Sequence, residues 1–169
     1  MNKSQDTNSN FQTNSKMRVA LIAAQWHEDL VNVAISSCQE ELSKLGVAVS
    51  SNVQLFKVPG SLEIPLTAKL LAKTGNWDGV IAFGLVVDGG IYRHEFVAQT
   101  VLDGMMNVAL DAEVPILSAV LTPQKFDEHD TAQVEFFRKH LVTKGAEAAR
   151  AAVQTIQLTW LIKKSYSKK

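Results

Sequence analysis

A chain of 169 residues with 46% apolar side chains is the length of one domain and can bury a sizeable core. Its 17 basic and 17 acidic residues cancel, which argues against a nucleic-acid binder, a class with a basic excess, and removes one electrostatic defence against self-association. A single cysteine, Cys38, cannot close an internal disulfide, and no apolar run reaches the length of a membrane span, so the expected setting is a reducing compartment, the cytoplasm.

Met1–Lys16 is rich in Asn, Ser, Gln and Thr and lacks an apolar segment; it reads as a flexible arm, or one ordered only by a neighbouring subunit, and not as a secretory signal. One domain is expected over 17–162, followed by a fraying basic tail over 163–169. Within the domain, Arg18–Ala24 predicts a first buried strand. A helix follows on Leu30, Val33, Ala34, Ser37, Cys38, Leu42 and Leu45, with Gly46 as its stop. Val47–Phe56 predicts a second strand, irregular at Ser50, Ser51 and Asn52, and Leu62, Leu66 and Leu70 mark a second helix closed by Gly75. Gly79–Val87 predicts a third strand. Phe96, Val97, Thr100, Val101, Gly104, Met105 and Val108 mark a third helix, and Pro115–Leu121 predicts a fourth strand. Two more helices are expected, a weaker one over Phe126–His140 and a long one through Ala146, Ala149, Val153, Ile156 and Trp160. Apolar runs without clean alternation fit strands covered on both faces, and βαβαβαβ order implies a parallel sheet with right-handed crossovers.

Ligands of such sheets bind beyond the carboxyl ends of the strands, which singles out four loops. Gln25–Asp29 places Trp26 after the first strand, either as a packing residue or as a platform for a planar heterocycle. Val58-Pro59-Gly60-Ser61-Leu62-Glu63-Ile64-Pro65 puts a hydroxyl, amide donors and a carboxylate at a helix start, which plain capping also explains. Asp88-Gly89-Gly90-Ile91-Tyr92-Arg93-His94-Glu95 combines a backbone that can approach an anion with a cation, a proton-transfer group and a carboxylate; a simple turn with solvated charges is the alternative. It is neither a P-loop nor a dinucleotide fingerprint. The fourth loop is Thr122–Glu128. His94, His129 and His140 lack the spacing of a zinc motif, so no metal site is expected, and Cys38 falls on an apolar helix face as a buried, inert thiol.

Together these loops resemble the lumazine synthase family over roughly residues 17–160. The matching text is Trp26, Pro59-Gly60-Ser61-Leu62-Glu63-Ile64-Pro65, Gly84-Leu85-Val86-Val87-Asp88-Gly89 running into Glu95-Phe96, Val114-Pro115, and Lys144-Gly145-Ala146-Glu147-Ala148-Ala149. The resemblance implies an α/β, flavodoxin-like three-layer sandwich: a four-stranded parallel sheet with helices on both faces. It also implies pentamers with the active site between neighbouring subunits. The implied reaction is a transferase condensation without cofactor, joining 5-amino-6-ribitylaminouracil to 3,4-dihydroxy-2-butanone 4-phosphate with loss of phosphate and water. By position, Trp26 is the ring that stacks on the pyrimidine. Ser61, Leu62 and Glu63 are the ribityl contacts, and Leu85, Val86 and Val87 hold the uracil edge. Gly90 and Ile91 form the phosphate-side loop, and Ser118 is a further pyrimidine-side residue.

The chain departs from the family pattern in its third loop, where Arg93 takes the place of the usual histidine and His94 that of an aromatic. Ungapped spacing from Ser118 puts Ala132 where the family has its phosphate-binding arginine, and one inserted residue puts Gln133 there; His129 and Arg138 are the cations able to substitute. Phe137-Arg138-Lys139-His140-Leu141-Val142 replaces the Gly/Lys-rich link of capsid-forming members. With the Asp88–His94 text, this resembles the second, decameric type. Two catalytic candidates follow: chemistry favours His94 as proton shuttle, because histidine is the side chain that exchanges protons near neutral pH, with Arg93 as the phosphate-side cation; register favours the reverse, with Arg93 in the family's catalytic position and His94 packing. The rival reading is a flavin- or lumazine-binding module without turnover. A flavodoxin-like signalling domain fits the fold but not the Pro-Gly-x-x-Glu-Ile-Pro loop.

Overall fold

The structure, a computed structural model, describes residues 14–90 and 93–166. Four parallel strands, β1 (Val19–Ala24), β2 (Val53–Val58), β3 (Gly79–Leu85) and β4 (Ile116–Leu121), lie in the order β2-β1-β3-β4. The helices between and after them are α1 (Glu28–Lys44), α2 (Ile64–Lys73), α3 (His94–Ala112) and α4 (Thr131–Tyr166). β1 pairs with β2 from Val19↔Val53 and with β3 from Val19↔Gly79; β3 pairs with β4 from Val80↔Ile116. Every residue of β1 and β3 is buried, as expected of central strands covered on both faces.

Alternation along the strands splits the apolar side chains between two cores. Leu21, Ala23, Ile81, Phe83 and Leu85 face α1 and α4, meeting Leu30, Ala34, Cys38, Leu42, Ala149, Val153 and Ile156. Ala20, Ile22, Val80, Ala82 and Val120 face α2 and α3, meeting Ile64, Ala68, Val101 and Met105. This is the expected three-layer α/β sandwich.

Three strands fall within two residues of their predicted bounds, and Gly46 (φ 92°) and Gly75 (φ 67°) close α1 and α2 as expected. The second strand needs correction. Val49–Asn52 is a one-turn helix, with the Ser51 and Asn52 N–H groups donating to the Ala48 carbonyl, and the strand begins only at Val53. Serine and asparagine favour such local bonds over a ladder. The two last helices are one: α4 runs 36 residues without a break. Gly145 does not interrupt it, because its missing Cβ is what lets α1 approach; a methyl there would collide with the Ala34 carbonyl. Phe126–Asp130, predicted helical, is loop, and the Asp130 carboxylate caps α4 by accepting the Ala132 and Gln133 N–H groups at 2.9 and 3.3 Å.

The predicted arm lies mostly outside the described residues. Its described end is docked: Asn14 is buried, donating to the Leu45 carbonyl at 2.7 Å and accepting from Gln157 Nε2 at 2.7 Å. Of the predicted tail, Lys163–Tyr166 continue α4. No helix among the described residues is long and apolar enough to cross a membrane.

Candidate active site

At the carboxyl ends of the strands, segments after all four converge on a cleft of about 950 Å³. Trp26 and His27 come from the β1 end, Pro59–Glu63 from the β2 end, Leu85–Gly89 and His94 from the β3 end, and Phe126–His129 from the β4 end.

After β1 the chain turns sharply at His27, which holds a left-handed backbone (φ 53°, ψ 45°), and its carbonyl accepts the Leu30 and Val31 N–H groups that open α1. A non-glycine residue there costs about 1 kcal/mol or more, so the turn is held by its surroundings. One of these is Phe126, whose ring meets His27 edge-on at 5.3 Å. Trp26, just before the turn, keeps 69% of its surface exposed. So large an apolar side chain left in the open does not serve as core packing within this chain.

After β2, Pro59-Gly60 brings the chain under the indole; a Cβ on Gly60 would lie 3.8 Å from Trp26 and 3.2 Å from Glu63 Oε2. The Gly60 N–H donates to that carboxylate oxygen at 2.8 Å, fixing Glu63 against the cleft. Ser61 rests over β3, and a Cβ on Gly84 would be 2.8 Å from its hydroxyl oxygen, so the glycine makes room for the serine.

After β3, Leu85, Val86, Val87, Asp88 and Gly89 form the floor. Gly90 takes φ 74°, and its N–H donates to Asp88 Oδ1 at 2.9 Å. Ile91, predicted for the phosphate-side loop, lies outside the described residues. The two catalytic candidates part at the start of α3. His94 lines the cleft with its side chain 13% exposed, Nδ1 lying 3.6 Å from Glu95 Oε2. Arg93 does not line it; its guanidinium lies over the Phe96 ring at 4.6 Å.

Of the predicted residues, the structure brings Trp26, Ser61, Leu62, Glu63, Leu85, Val86, Val87, His94 and His129 into one cleft. Gly90, Arg93, Ser118 and Gln133 are outside its lining. Ser118 is exposed on β4, where its hydroxyl accepts the Val120 N–H at 3.2 Å. Gln133 ties the fourth loop together: Oε1 accepts the Asp127 N–H at 3.2 Å, and Nε2 donates to Asp130 Oδ2 at 3.0 Å. That side-chain bond, with the backbone donors of α4, holds the Asp130 carboxyl below its usual pKa. Phe126, Asp127 and Glu128 were missed as site residues, although the loop after a fourth strand is where such residues belong. Cys38 is buried in the α1 face, and burial pushes its thiol up to about 12.

The family model described as 6,7-dimethyl-8-ribityllumazine synthase matches residues 16–159. A 6,7-dimethyl-8-ribityllumazine synthase of Rhodococcus erythropolis is 50% identical over 140 residues, covering 83% of this chain and 89% of the relative. Proteins named 6,7-dimethyl-8-ribityllumazine synthase 2 are 49% identical in Bradyrhizobium diazoefficiens and 48% identical in Pseudomonas syringae pv. tomato; each match covers 82% of this chain, and 82% and 81% of the respective relative.

Proposed function

We propose, from the premise that the chain belongs to the 6,7-dimethyl-8-ribityllumazine synthase family, that the cleft at the strand ends is the ribityl-pyrimidine half of its active site. The chain is a lumazine synthase, a transferase of riboflavin biosynthesis. Its reaction condenses 5-amino-6-ribitylaminouracil with 3,4-dihydroxy-2-butanone 4-phosphate. The 5-amino group attacks the ketone and an imine forms with loss of water; phosphate is eliminated, the resulting enol tautomerises to a ketone, and the ribitylamino nitrogen closes the ring on that carbonyl with loss of a second water.

Trp26 offers an exposed indole face on which the flat pyrimidine stacks. Glu63, fixed by the Gly60 N–H, accepts ribityl hydroxyls beside Ser61 and Leu62. The backbone of Leu85, Val86 and Val87 meets the polar edge of the uracil. His94 moves the protons that imine formation and ring closure require, a contribution of roughly 10²–10⁴-fold. Holding two substrates in register supplies much of the rest. Gly90 and Arg93 are assigned to the phosphate side, Ile91 joins them from the family text alone, and His129, which lines the cleft, is the further basic group assigned there. The observation that carries this reading is the meeting of Trp26, Glu63 and His94 in one cleft.

The working enzyme is an oligomer in the cytoplasm. Leu66, Leu70, Met106 and Leu110 stand exposed on α2 and α3, the kind of apolar surface that a partner covers. Ser118 is exposed and outside its own chain's cleft, and we assign it to a neighbour's. We infer pentamers, paired as decamers. Solution mass measurement tests this: a stable monomer overturns the shared site, and a 60-subunit particle overturns only the decamer.

Steady-state assay of product formation from both substrates tests the roles. His94→Ala is expected to lower turnover about 100-fold or more, and an ionisation in the pH–rate profile should vanish with it. Arg93→Ala should mainly raise half-saturation by the butanone phosphate. Full turnover in His94→Ala, with an unchanged profile, removes His94 as the shuttle.

A further inference from the structure

One side chain ties together the loop after β4. Gln133, in the first turn of α4, spans it: Oε1 accepts the Asp127 N–H at 3.2 Å, and Nε2 donates to Asp130 Oδ2 at 3.0 Å. The bonds continue into the cleft wall, because Asp127 Oδ1 accepts the His129 N–H at 2.9 Å and the Asp127 carbonyl accepts the Asp130 N–H at 3.2 Å. The chemistry is matched at both ends. A backbone N–H can only donate, and an ionised carboxylate can only accept, so a carboxamide between them satisfies both in a single orientation. A carboxylate of similar length at position 133 would face Asp130 with like charge, and an apolar side chain would satisfy neither end. Gln133 does not line the cleft, whereas four consecutive residues of the loop, Phe126 to His129, do. The loop also carries two exposed basic side chains, Lys125 and His129, and Lys125 forms no ion pair among the described residues. Every bond of this network lies within one chain, so its geometry does not depend on a neighbour.

We propose that Gln133 is a positioning residue for the phosphate side of the reaction: its carboxamide latches the loop in the pose that presents His129 to the butanone phosphate. The inference rests on the reading of His129 as a phosphate-side group. Without the latch, the Asp127 N–H returns to water and the loop takes other poses. The phosphate ester is then held less well, while proton transfer at His94 continues, since His94 stands on α3 and not on this loop. The pyrimidine is little affected, because Trp26 and Glu63 come from the ends of β1 and β2.

The latch can be broken from either end and rebuilt with its polarity reversed. Gln133→Glu sets a second carboxylate against Asp130. Asp130→Asn keeps an oxygen to cap α4 but sets a second N–H donor against Gln133 Nε2. Combined, the two substitutions restore a donor and an acceptor at each contact. Steady-state assay of the assembled protein is the readout. Each single variant is expected to raise half-saturation by the butanone phosphate roughly three- to tenfold, the scale of one lost hydrogen bond. Turnover and half-saturation by the pyrimidine should stay within about twofold, and the combined variant should return to within about twofold of the wild type. Charge alone gives a different pattern: one substitution adds a negative charge and the other removes one, so the two single variants would move in opposite directions. Lys125→Ala combined with His129→Ala reads the phosphate-side assignment separately and should raise the same half-saturation. Single variants that leave it unmoved or shift it oppositely, or a combined variant no better than its worse member, overturn the latch; a rise in the alanine variant then leaves the phosphate side standing. No rise in the alanine variant overturns the phosphate-side assignment and the proposal with it.

Discussion

On one side of the sheet α1 and α4 are in backbone contact at Gly145 and Ala34, and Leu30, Cys38, Leu42, Ala152 and Ile156 are sealed between them and the strands. Beyond the 145–156 stretch, α4 does expose apolar side chains toward its ends, Phe136 and Val142 at one and Leu158 to Tyr166 at the other. On the opposite side α2 and α3 bury Ile64, Ala68, Val101 and Met105, yet leave Leu66, Leu70, Met106 and Leu110 in water, the last at 72% exposure. Each such side chain forgoes about 1.5–3 kcal/mol available on full burial. The middle of the α1–α4 layer is sealed within the chain, whereas the α2–α3 stripe is the surface proposed above for a second copy. On that proposal the sealed middle carries stability and the stripe carries assembly.

The most damaging test of that separation is Gly145→Val. Its side chain would enter the α1 backbone at Ala34, and a loss of about 3 kcal/mol or more is expected. Denaturant midpoints check it, and near-normal stability would show that the α1–α4 contact is not as tight as described. Leu66→Glu combined with Leu110→Glu should do the reverse. The circular dichroism of the folded domain persists, while the assembly falls to smaller species and product formation is lost with the shared site. A variant that keeps its mass, or that unfolds, breaks the division between the faces. A smaller effect is expected of Gly84→Ala, beneath Ser61. The new methyl would clash with the Ser61 hydroxyl, which can swing aside, and would meet Val120 and Ala24 at ordinary contact distances, so the fold stays intact and half-saturation by the ribityl substrate rises severalfold at similar turnover.

The least disruptive test is a titration of the sealed layer. Cys38, held near 12 in the folded protein against an ordinary 9.0, favours the folded state while it stays protonated. That contribution is fully present below about pH 9 and is lost as the pH rises toward 12. Wild-type stability should therefore decline over this window more steeply than that of Cys38→Ala, and a thiol reagent at pH 8 should leave the native oligomer unlabelled. Rapid labelling would mean that the layer opens.

The strand plan and the cleft were legible because their signals are local: β-branched runs between glycines, a Pro-Gly turn, and an aromatic at a strand end. Ser50-Ser51-Asn52 hid the true start of β2, since an apolar run does not reveal which polar residues prefer to bond their own backbone. Leu66 and Leu70 identified the second helix, but they mark its exposed side, while Ile64, Ala68 and Leu71 face the sheet; Leu62 falls before it, in the tight turn Ser61–Glu63. Periodicity reports that a stripe must be covered, not by which chain. The sequence does not single out Phe126, because its place at the cleft depends on the ring contact with His27, far from it in sequence. Neither Arg93 nor His94 stood out in the sequence as the one facing the cleft; that choice depends on the backbone angle at which α3 begins.

The unbroken course of α4 also constrains how this chain can change. Each residue of a helix advances its neighbours by about 100°, and α4 has no hinge between the Asp130 cap beside the cleft and Trp160, whose indole N–H reaches Asp78 at 3.1 Å. A single residue inserted or deleted at 137–142 would swing Gly145 away from Ala34 and carry Ala149, Val153 and Ile156 off the sheet together. A flexible link would absorb the same edit in its slack. Here a change of length is expected to cost far more than a substitution at an exposed position such as Lys139, so the phase of the helix is inherited as a unit.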